Sequence, residues 1–288
     1  YMPELPEVEV VKKSLENKLI NLTIKRVKII NSKLRYKIDN KQFKKIKNQK
    51  IISIQRRSKY LLINLNKNST ILTHLGMTGK FFIINNNQKN KTSFYYSLKK
   101  NDTKHDHLTF FLNKKIKLIY NDVRKFGFIK VYPSKDVLNC SHLLCLGPEP
   151  LTDNFNLTYF EKYIINKKTK IKDLLMDQKF VAGLGNIYCN EILFLCKINP
   201  NRSIKTINKE EIKKIIRFTK KILKQAISLG GSSIKNFSSA KGQRGRFQQK
   251  FNVYSREKAS CNRLKCLGTI RKVYTSNRSS FFCPVCQT

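Results

Sequence analysis

The feature that most constrains the fold lies at the C-terminus, where four cysteines read Cys261-x4-Cys266-x16-Cys283-x2-Cys286. Two pairs at short spacing, on turns separated by a hairpin's length of chain, place four thiolates tetrahedrally round Zn2+. Residues 267–282 are long enough for two strands and a turn. Four protein ligands leave no open coordination position, so such a zinc is structural. The competing reading is four unligated thiols. Disulfides are the poorer explanation, because a cytosolic chain keeps its thiols reduced. The remaining cysteines, Cys140, Cys145, Cys189 and Cys196, are scattered. A rigid hairpin between the pairs would hold Arg271, Lys272 and Arg278, with Arg278 placed to meet a phosphate.

Charge points the same way. Among 288 residues, 59 Lys and Arg face 18 Asp and Glu, a formal net charge of +41. A surplus that large calls for a polyanionic partner, nucleic acid first. The bland alternative is a coding bias towards A and T, which fills runs such as 40–50 and 85–91 with Lys and Asn and adds surface lysines without function. With 40% hydrophobic and 27% charged residues the chain is globular, and global disorder is excluded. The length fits one large domain or two ordinary ones with a small appendage. No apolar run reaches the roughly eighteen residues of a membrane-spanning helix, and the polar, acidic start lacks a secretory pattern. The expectation is a soluble, cytoplasmic protein.

Along the chain the apolar period changes twice. Val8, Val11, Leu15 and Leu19 share a helical face, and Pro6 and Glu7 suit its first turn. From Leu22 to Tyr132 the pattern shortens to β-rich runs at 51–54, 60–65, 80–84, 108–112, 116–120 and 128–132. Asn-rich turns separate them, as in a sandwich of antiparallel strands. Residues 133–150 read as a connector. Beyond it, 159–165, 171–176, 187–195 and 210–227 look helical; Gly183 and Gly185 break the run before Asn186, and Pro200 closes the next helix. A Gly/Ser/Lys-rich stretch, 230–246, reads as a mobile loop ahead of the cysteine module.

Other places can carry chemistry. If translation begins at Met2, removal of that residue exposes Pro3 as a free secondary amine. An α-amine titrates near ~7.7–8.0 against ~10.4 for lysine, so roughly a tenth to a fifth is neutral at pH 7. Such an amine attacks a glycosidic or aldehydic carbon to form an iminium, and Glu4 beside it can deliver or accept a proton. The plain alternative is a frayed terminus. In Thr73-His74-Leu75-Gly76-Met77-Thr78-Gly79 the glycines make a tight turn that pushes Met77 outwards and lets His74 reach a ligand. In Asn121-Asp122-Val123-Arg124-Lys125-Phe126-Gly127, Arg124 and Phe126 fall on one side if extended. Exposed Met, Arg and Phe suit a wedge in a base stack, yet spacing alone favours Met77 and Phe126 as core residues. His105-Asp106-His107 is at most half a metal site and reads as structural.

Together these segments resemble the formamidopyrimidine-DNA glycosylase family of base-excision repair enzymes, over nearly the whole chain. The resemblance runs through Pro3-Glu4-Leu5-Pro6-Glu7, Gln55-Arg56-Arg57-Ser58-Lys59-Tyr60, the His74-to-Gly79 turn and the Asp122-to-Gly127 segment. It continues through Leu146-Gly147-Pro148-Glu149-Pro150-Leu151 and Asp177-Gln178-Lys179-Phe180-Val181-Ala182-Gly183-Leu184-Gly185-Asn186-Ile187-Tyr188. Phe247-Gln248-Gln249 and Asn252-Val253-Tyr254 lead into the cysteine module. It implies an α+β multidomain fold. A β-sandwich catalytic domain with flanking helices (1–133) is followed by a linker (134–150) and a helix-two-turns-helix domain (151–255). Residues 230–246 form a lid over a flipped base, and a zinc finger (256–288) ends the chain, with DNA in the cleft between the domains.

The same resemblance implies that Pro3 attacks C1′ of an extruded oxidised purine nucleotide and that β- and δ-elimination then nick the strand. Glu4 protonates the sugar ring oxygen, Glu7 is a further acid of the site, and Lys59 joins them. Lys59, His74, Asn186 and Arg278 match positions that grip phosphates, Asn186 from a helix start. Met77, Arg124 and Phe126 match the trio that fills the gap left by the flipped nucleotide, which reverses the core reading. Cys261, Cys266, Cys283 and Cys286 hold one structural Zn2+. The implied partner is double-stranded DNA carrying 8-oxoguanine opposite cytosine, a formamidopyrimidine or an abasic site, bound by a monomer without a membrane.

Two departures have consequences. Tyr1 precedes Met2, whereas the family mechanism needs a free prolyl amine, so both residues are expected to be absent from the active form. Retained, they make Pro3 a tertiary amide and leave a binder of damaged DNA with no glycosylase activity. The first cysteine pair is spaced x4 where the family has x2, which widens the knuckle. Within the superfamily the alternative is an endonuclease VIII-like enzyme for oxidised pyrimidines. Outside it, the alternative is a general basic nucleic-acid-binding protein. The Pro-Glu-Leu-Pro-Glu start and the Met/Arg/Phe trio favour the oxidised-purine branch.

Overall fold

The computed structural model describes residues 2–85, 88–91, 103–232 and 246–288, with side chains for all of these except 88–91. They gather into two compact units: residues 2–144 with 230–232, and residues 145–229 with 246–288. Tyr1, and residues 233–245 of the stretch read as a loop, lie outside the described residues.

The first unit opens with α1 (Leu5–Leu19), whose start is set by a reciprocal capping box between Glu4 and Glu7. Pro6 stands in the first turn, where its missing N–H has no helical partner to lose. Leu5, Val8, Val11, Leu15 and Leu19 form one buried stripe. There follow β1 (Ile24–Ile29), α2 (Asn40–Lys45), β2 (Ile51–Arg57), β3 (Tyr60–Leu65), β4 (Ser69–His74) and β5 (Lys80–Asn85). Then come β6 (Gln88–Lys91), β7 (Asp106–Leu112), β8 (Lys117–Asn121) and β9 (Phe128–Pro133). The pairings are antiparallel and make a five-stranded sheet, β1-β7-β8-β5-β6, and a four-stranded one, β2-β3-β4-β9. A single core fills the space they share. Ile54, Ile63, Ile71 and Ile129 of the smaller sheet join Phe81, Phe110 and Tyr120 of the larger, with Val8, Val11 and Leu15 of α1.

Four elements go beyond the expected runs: β1, β4, β6 and α2. Strand β1 hides in its charge, because Lys25, Arg26 and Lys28 interrupt it; Arg26 lies 4.2 Å above the Phe111 ring. Helix α2 sits in the Lys/Asn run, started by Asp39, which accepts from the Lys41 N–H, and anchored by buried Phe43.

The second unit contains α3 (Leu157–Ile164), α4 (Ile171–Met176), α5 (Asn186–Cys196), α6 (Lys209–Ser228) and the hairpin β10 (Arg271–Thr275) and β11 (Arg278–Phe282). Helix α5 is buried almost all round, which makes it the central rod of this unit. An Asn208–Glu211 capping box starts α6, whose Ile212, Ile215, Ile222 and Leu223 turn inwards. The expectation that Pro200 closes α5 is corrected. The helix ends at Lys197, which takes a left-handed φ of 62° and donates its N–H back to Phe194 O at 3.0 Å. Pro200 falls outside the turn that stops the helix. Among the described residues no helix is long and apolar enough to cross a membrane.

Candidate active site and metal centre

Pro3 is buried, and Glu4 and Glu7 are only 3% and 2% exposed. The Glu7 carboxylate works in two directions. Its Oε2 accepts from the Glu4 N–H at 2.9 Å, and its Oε1 accepts from the Ser232 N–H at 2.8 Å and the Ser232 hydroxyl at 2.9 Å. One carboxylate therefore fixes the start of α1 to residues 230–232. Ser232 escaped the sequence reading. Its only signal was the glycine pair before it: Gly231 has φ +80°, and a Cβ there would stand 3.1 Å from Glu7 Oε1.

The β2–β3 turn stands beside α1. Arg56 reaches Glu9 of α1 at 2.7 Å and the Ser58 carbonyl at 3.0 Å, so one guanidinium ties the helix to the turn. Ser58 takes a positive φ of 55°, which closes a two-residue connection and leaves Lys59 only 6% exposed.

Two further loops meet at Asp122. Its Oδ1 accepts from the Thr78 hydroxyl and its Oδ2 from the Gly127 N–H at 2.8 Å, while Arg124 N–H donates to Thr78 Oγ1 at 2.9 Å. The buried carboxylate thus staples the Met77 turn to the Arg124–Phe126 segment. Backbone packing there is so close that a Cβ on Gly76 (φ +60°) would lie 2.5 Å from Gly127 N. The result is a cavity of about 500 Å3 lined by Met2, Arg35, His74, Met77, Arg124 and Phe126 among others. Phe126 is 46% exposed, with the Arg124 guanidinium 4.6 Å from its ring centroid; Met77 is half-buried. Neither is enclosed in the core, against what spacing alone suggested. Arg35 was missed, because nothing in its local pattern separates it from other surface cations.

His74 is half-buried, and its Nδ1 accepts the Gly76 N–H at 3.1 Å, which leaves Nε2 as the protonated nitrogen. Burial, then the charges of Lys59, Arg35 and His142, hold its pKa down at about 4. It is a neutral N–H donor at pH 7. His107 takes the structural role expected of it, with its nitrogens 3.1 Å from the Asn31 carbonyl and 2.9 Å from the Asp122 carbonyl.

In the second unit Asn186 and Arg278 are brought together through Ser279. Asn186 is the first residue of α5 after the Gly185 cap, and its Nδ2 donates to the Ser279 carbonyl at 3.0 Å. Gln178 shapes the turn before it, accepting from the Gly183 N–H at 2.8 Å and donating to the Leu184 carbonyl at 2.8 Å. Arg278 stands exposed beside Ser279 on β11. Lys172, with no exposed surface, donates to the same Ser279 carbonyl at 2.8 Å and to Ser280 Oγ at 2.7 Å. Next to Asp173 on the first turn of α4, it reads in the sequence as an ordinary surface charge. Glu191, also unremarked in the sequence, accepts from the backbone N–H groups of Asn252, Val253 and Tyr254 and anchors the approach to the cysteines.

All eight cysteines are free thiols. The sulfurs of Cys261, Cys266, Cys283 and Cys286 lie within 4.8 Å of one another, with Cys261–Cys286 at 3.8 Å and Cys266–Cys283 at 3.7 Å. Metal–sulfur bonds of about 2.3 Å in a tetrahedron give sulfur separations of about 3.8 Å, so the set fits a metal ion. The wide x4 knuckle closes because Lys265 adopts φ 60° and the Arg263 N–H points at Cys261 Sγ, 3.5 Å away. Gly268 leaves room for the Cys283 sulfur, which a Cβ would meet at 2.5 Å.

The chain is similar to known proteins over nearly its whole length. Residues 2–129 match the formamidopyrimidine-DNA glycosylase N-terminal domain and residues 146–238 match the formamidopyrimidine-DNA glycosylase H2TH domain. The formamidopyrimidine-DNA glycosylase of Rickettsia bellii is 43% identical over 286 residues, covering 99% of each chain. The chain belongs to the formamidopyrimidine-DNA glycosylase family. The enzyme of the same name from Rickettsia felis is 38% identical, over 99% of this chain and 98% of its own. A Lactococcus lactis Fpg solved with DNA containing an abasic site superposes with a TM-score of 0.85 at 33% identity, covering 99% of each chain. A mutant of that Fpg solved with DNA containing Fapy-dG gives 0.86 at 32%, covering 99% of this chain and 100% of its own. The glycosylase fold, with its helix-two-turns-helix part and cysteine module, is therefore the fold of this chain.

Proposed function

We propose that this protein is a bifunctional DNA glycosylase and AP lyase that removes oxidised purines from duplex DNA, with the Pro3 amine as nucleophile. The observation that carries the reading is the setting of Pro3 beside Glu4, in a capping box whose Glu7 carboxylate also holds Ser232. The reading requires Pro3 to be the first residue of the active protein. Met2, the residue before Pro3, lines the cavity shared by His74 and Met77.

Pro3 nitrogen bonds to C1′ as the C1′–N bond to the damaged base breaks, and Glu4 protonates the ring oxygen so that the sugar opens to an iminium. Loss of the 3′ and then the 5′ phosphate by β- and δ-elimination nicks the strand. Lys59 and Arg278 supply charged contacts to phosphate, while His74 and Asn186 supply neutral N–H donors. Met77, Arg124 and Phe126 fill the stack vacated by the flipped nucleotide, which suits a half-buried Met beside an exposed ring and guanidinium.

We assign the metal of the four-cysteine set as Zn2+, which thiolates at tetrahedral spacing suit, and with four protein ligands its role would be structural. We read the chain as a sandwich domain (1–133), linker (134–150), helical domain (151–255) and zinc finger (256–288), working as a monomer in the cytoplasm, where thiols stay reduced.

Borohydride trapping tests the mechanism. Incubated with an 8-oxoguanine duplex and borohydride, the protein should yield a covalent adduct that maps to Pro3. Lesion binding without an adduct would leave a non-catalytic damage binder, and equal affinity for lesion and normal duplex would overturn the reading altogether.

A further inference from the structure

The rings around His74 form a connected stack. His74, at the end of β4, lies 4.9 Å from the Tyr60 ring and nearly parallel to Phe128 of β9, at 5.9 Å and 19°. Phe128 in turn packs on His142 at 4.5 Å. Tyr36 braces both, 5.2 Å from Phe128 and 5.3 Å from His142. His142 is itself held in place, because its Nε2 lies 3.2 Å from Lys130 Nζ, and that ammonium sits 3.9 Å from the Tyr36 ring centroid. An ammonium has only protons to offer, so His142 Nε2 is the acceptor and its ring is neutral. Burial and the nearby charges of Lys130 and Arg35 keep it so.

We propose that His142 is a positioning residue for His74, acting through Phe128. The stack keeps the His74 ring from turning about its Cβ–Cγ axis. Nδ1 then stays on the Gly76 N–H, and the Nε2–H stays aimed outwards. A freely turning imidazole would spend part of its time presenting carbon or a lone pair instead, to which a phosphate oxygen cannot bond. The functional half of the proposal rests on the phosphate contact assigned to His74 above. The groups facing the two imidazoles are Lys59, Tyr60, Arg35, Tyr36 and Lys130, with Cys140 near Tyr60 and Lys130.

Two variants separate packing from charge. His142→Ala removes the ring; His142→Phe keeps the ring and loses only the Lys130 acceptor. Imidazole 15N and 1H spectra of His74, collected across a pH series, report its tautomer and titration directly. In His142→Ala the fixed Nε2–H form should give way to averaging, and the titration should move up from about 4 towards the ordinary range. Affinity for an 8-oxoguanine duplex at pH 7 should fall about three- to tenfold, the worth of one aromatic contact. Binding should also strengthen more than in the parent as pH falls, because a titrating His74 gains charge. His142→Phe should restore both spectra and affinity. Unchanged His74 spectra in His142→Ala, or equal losses in both variants, would overturn the proposal. A freed His74 with unchanged affinity would sink the phosphate contact and leave the positioning intact.

Discussion

At the scale of single residues, protonation decides what kind of contact His74 makes. Its folded pKa, about 4, lies below the unfolded value of 6.5, so the unfolded chain takes up the proton first as pH falls. The stability that depends on a neutral His74 is complete above pH 6.5 and is lost progressively towards pH 4. The 2.5-unit gap bounds that loss at about 3 kcal/mol before screening at a half-buried site reduces it. His74→Asn should therefore flatten the fall in unfolding free energy between pH 6.5 and pH 4 in urea titrations; parallel curves would mean another group titrates. The same neutrality separates His74 from Arg278 on DNA. Arg278→Ala should weaken binding to every duplex and reduce the slope of log K against log salt by about one, whereas His74→Asn should weaken binding with the slope unchanged. Met77→Ala should impair 8-oxoguanine excision more than cutting at an abasic site, since only an intact base has to be displaced from the stack; equal losses would count against a wedge at Met77.

At the scale of elements, the β10–β11 hairpin is held from two sides. The cysteine set grips its ends, and a buried polar chain grips its middle: Lys172 on Ser279 and Ser280, Asn190 Oδ1 taking the Phe281 N–H at 2.8 Å, and Thr275 donating to Asn201 at 2.8 Å. Lys172→Met removes a donor from two acceptors and should destabilise by about 1–3 kcal/mol. Hydrogen exchange should quicken on β10 and β11 and remain unchanged in the β2-β3-β4-β9 sheet. Stripping the metal with a chelator and a thiol reagent should melt the hairpin by the same measure, and exchange that stayed slow would show that the module does not need metal. The cysteine pattern made the hairpin legible, and the apolar period from Val8 to Leu19 with Pro6 and Glu7 in the first turn made α1 legible, because both depend on spacing along the chain. Lys172, Glu191, Asp122, Ser232 and Arg35 were not legible in these roles. Each acts on a residue far away in sequence, so no local period marks it. Strand β1 was lost for a different reason, since charges laid over aromatic rings look like a solvated turn.

At the scale of the whole molecule, the question is what 59 cations against 18 acids do to a folded chain. Several acids are already committed locally: Glu9 to Arg56, Glu16 to Lys12 and Glu211 to Arg202. The remaining surplus repels itself, and the repulsion is screened as the Debye length shrinks from about 30 Å at 0.01 M salt to about 8 Å at 0.15 M. Thermal stability should therefore rise with salt over that range, while duplex affinity falls. The two slopes discriminate between the origins of the charge. If a good share of the surplus lysines were contacts, about eleven of them would already bring the slope of log K against log salt to the −10 of proteins that cover many phosphates. If coding bias supplied most of them, only the cations at the site would count. Lys59 and Arg278 are the two cations proposed to meet phosphate, and two phosphates at about −0.9 each give a slope near −2. We expect that value for a short lesion duplex, read by titration at several salt concentrations. A slope twice as steep would mean that the duplex is gripped well beyond the site, and that the basic faces of the chain are part of its machinery.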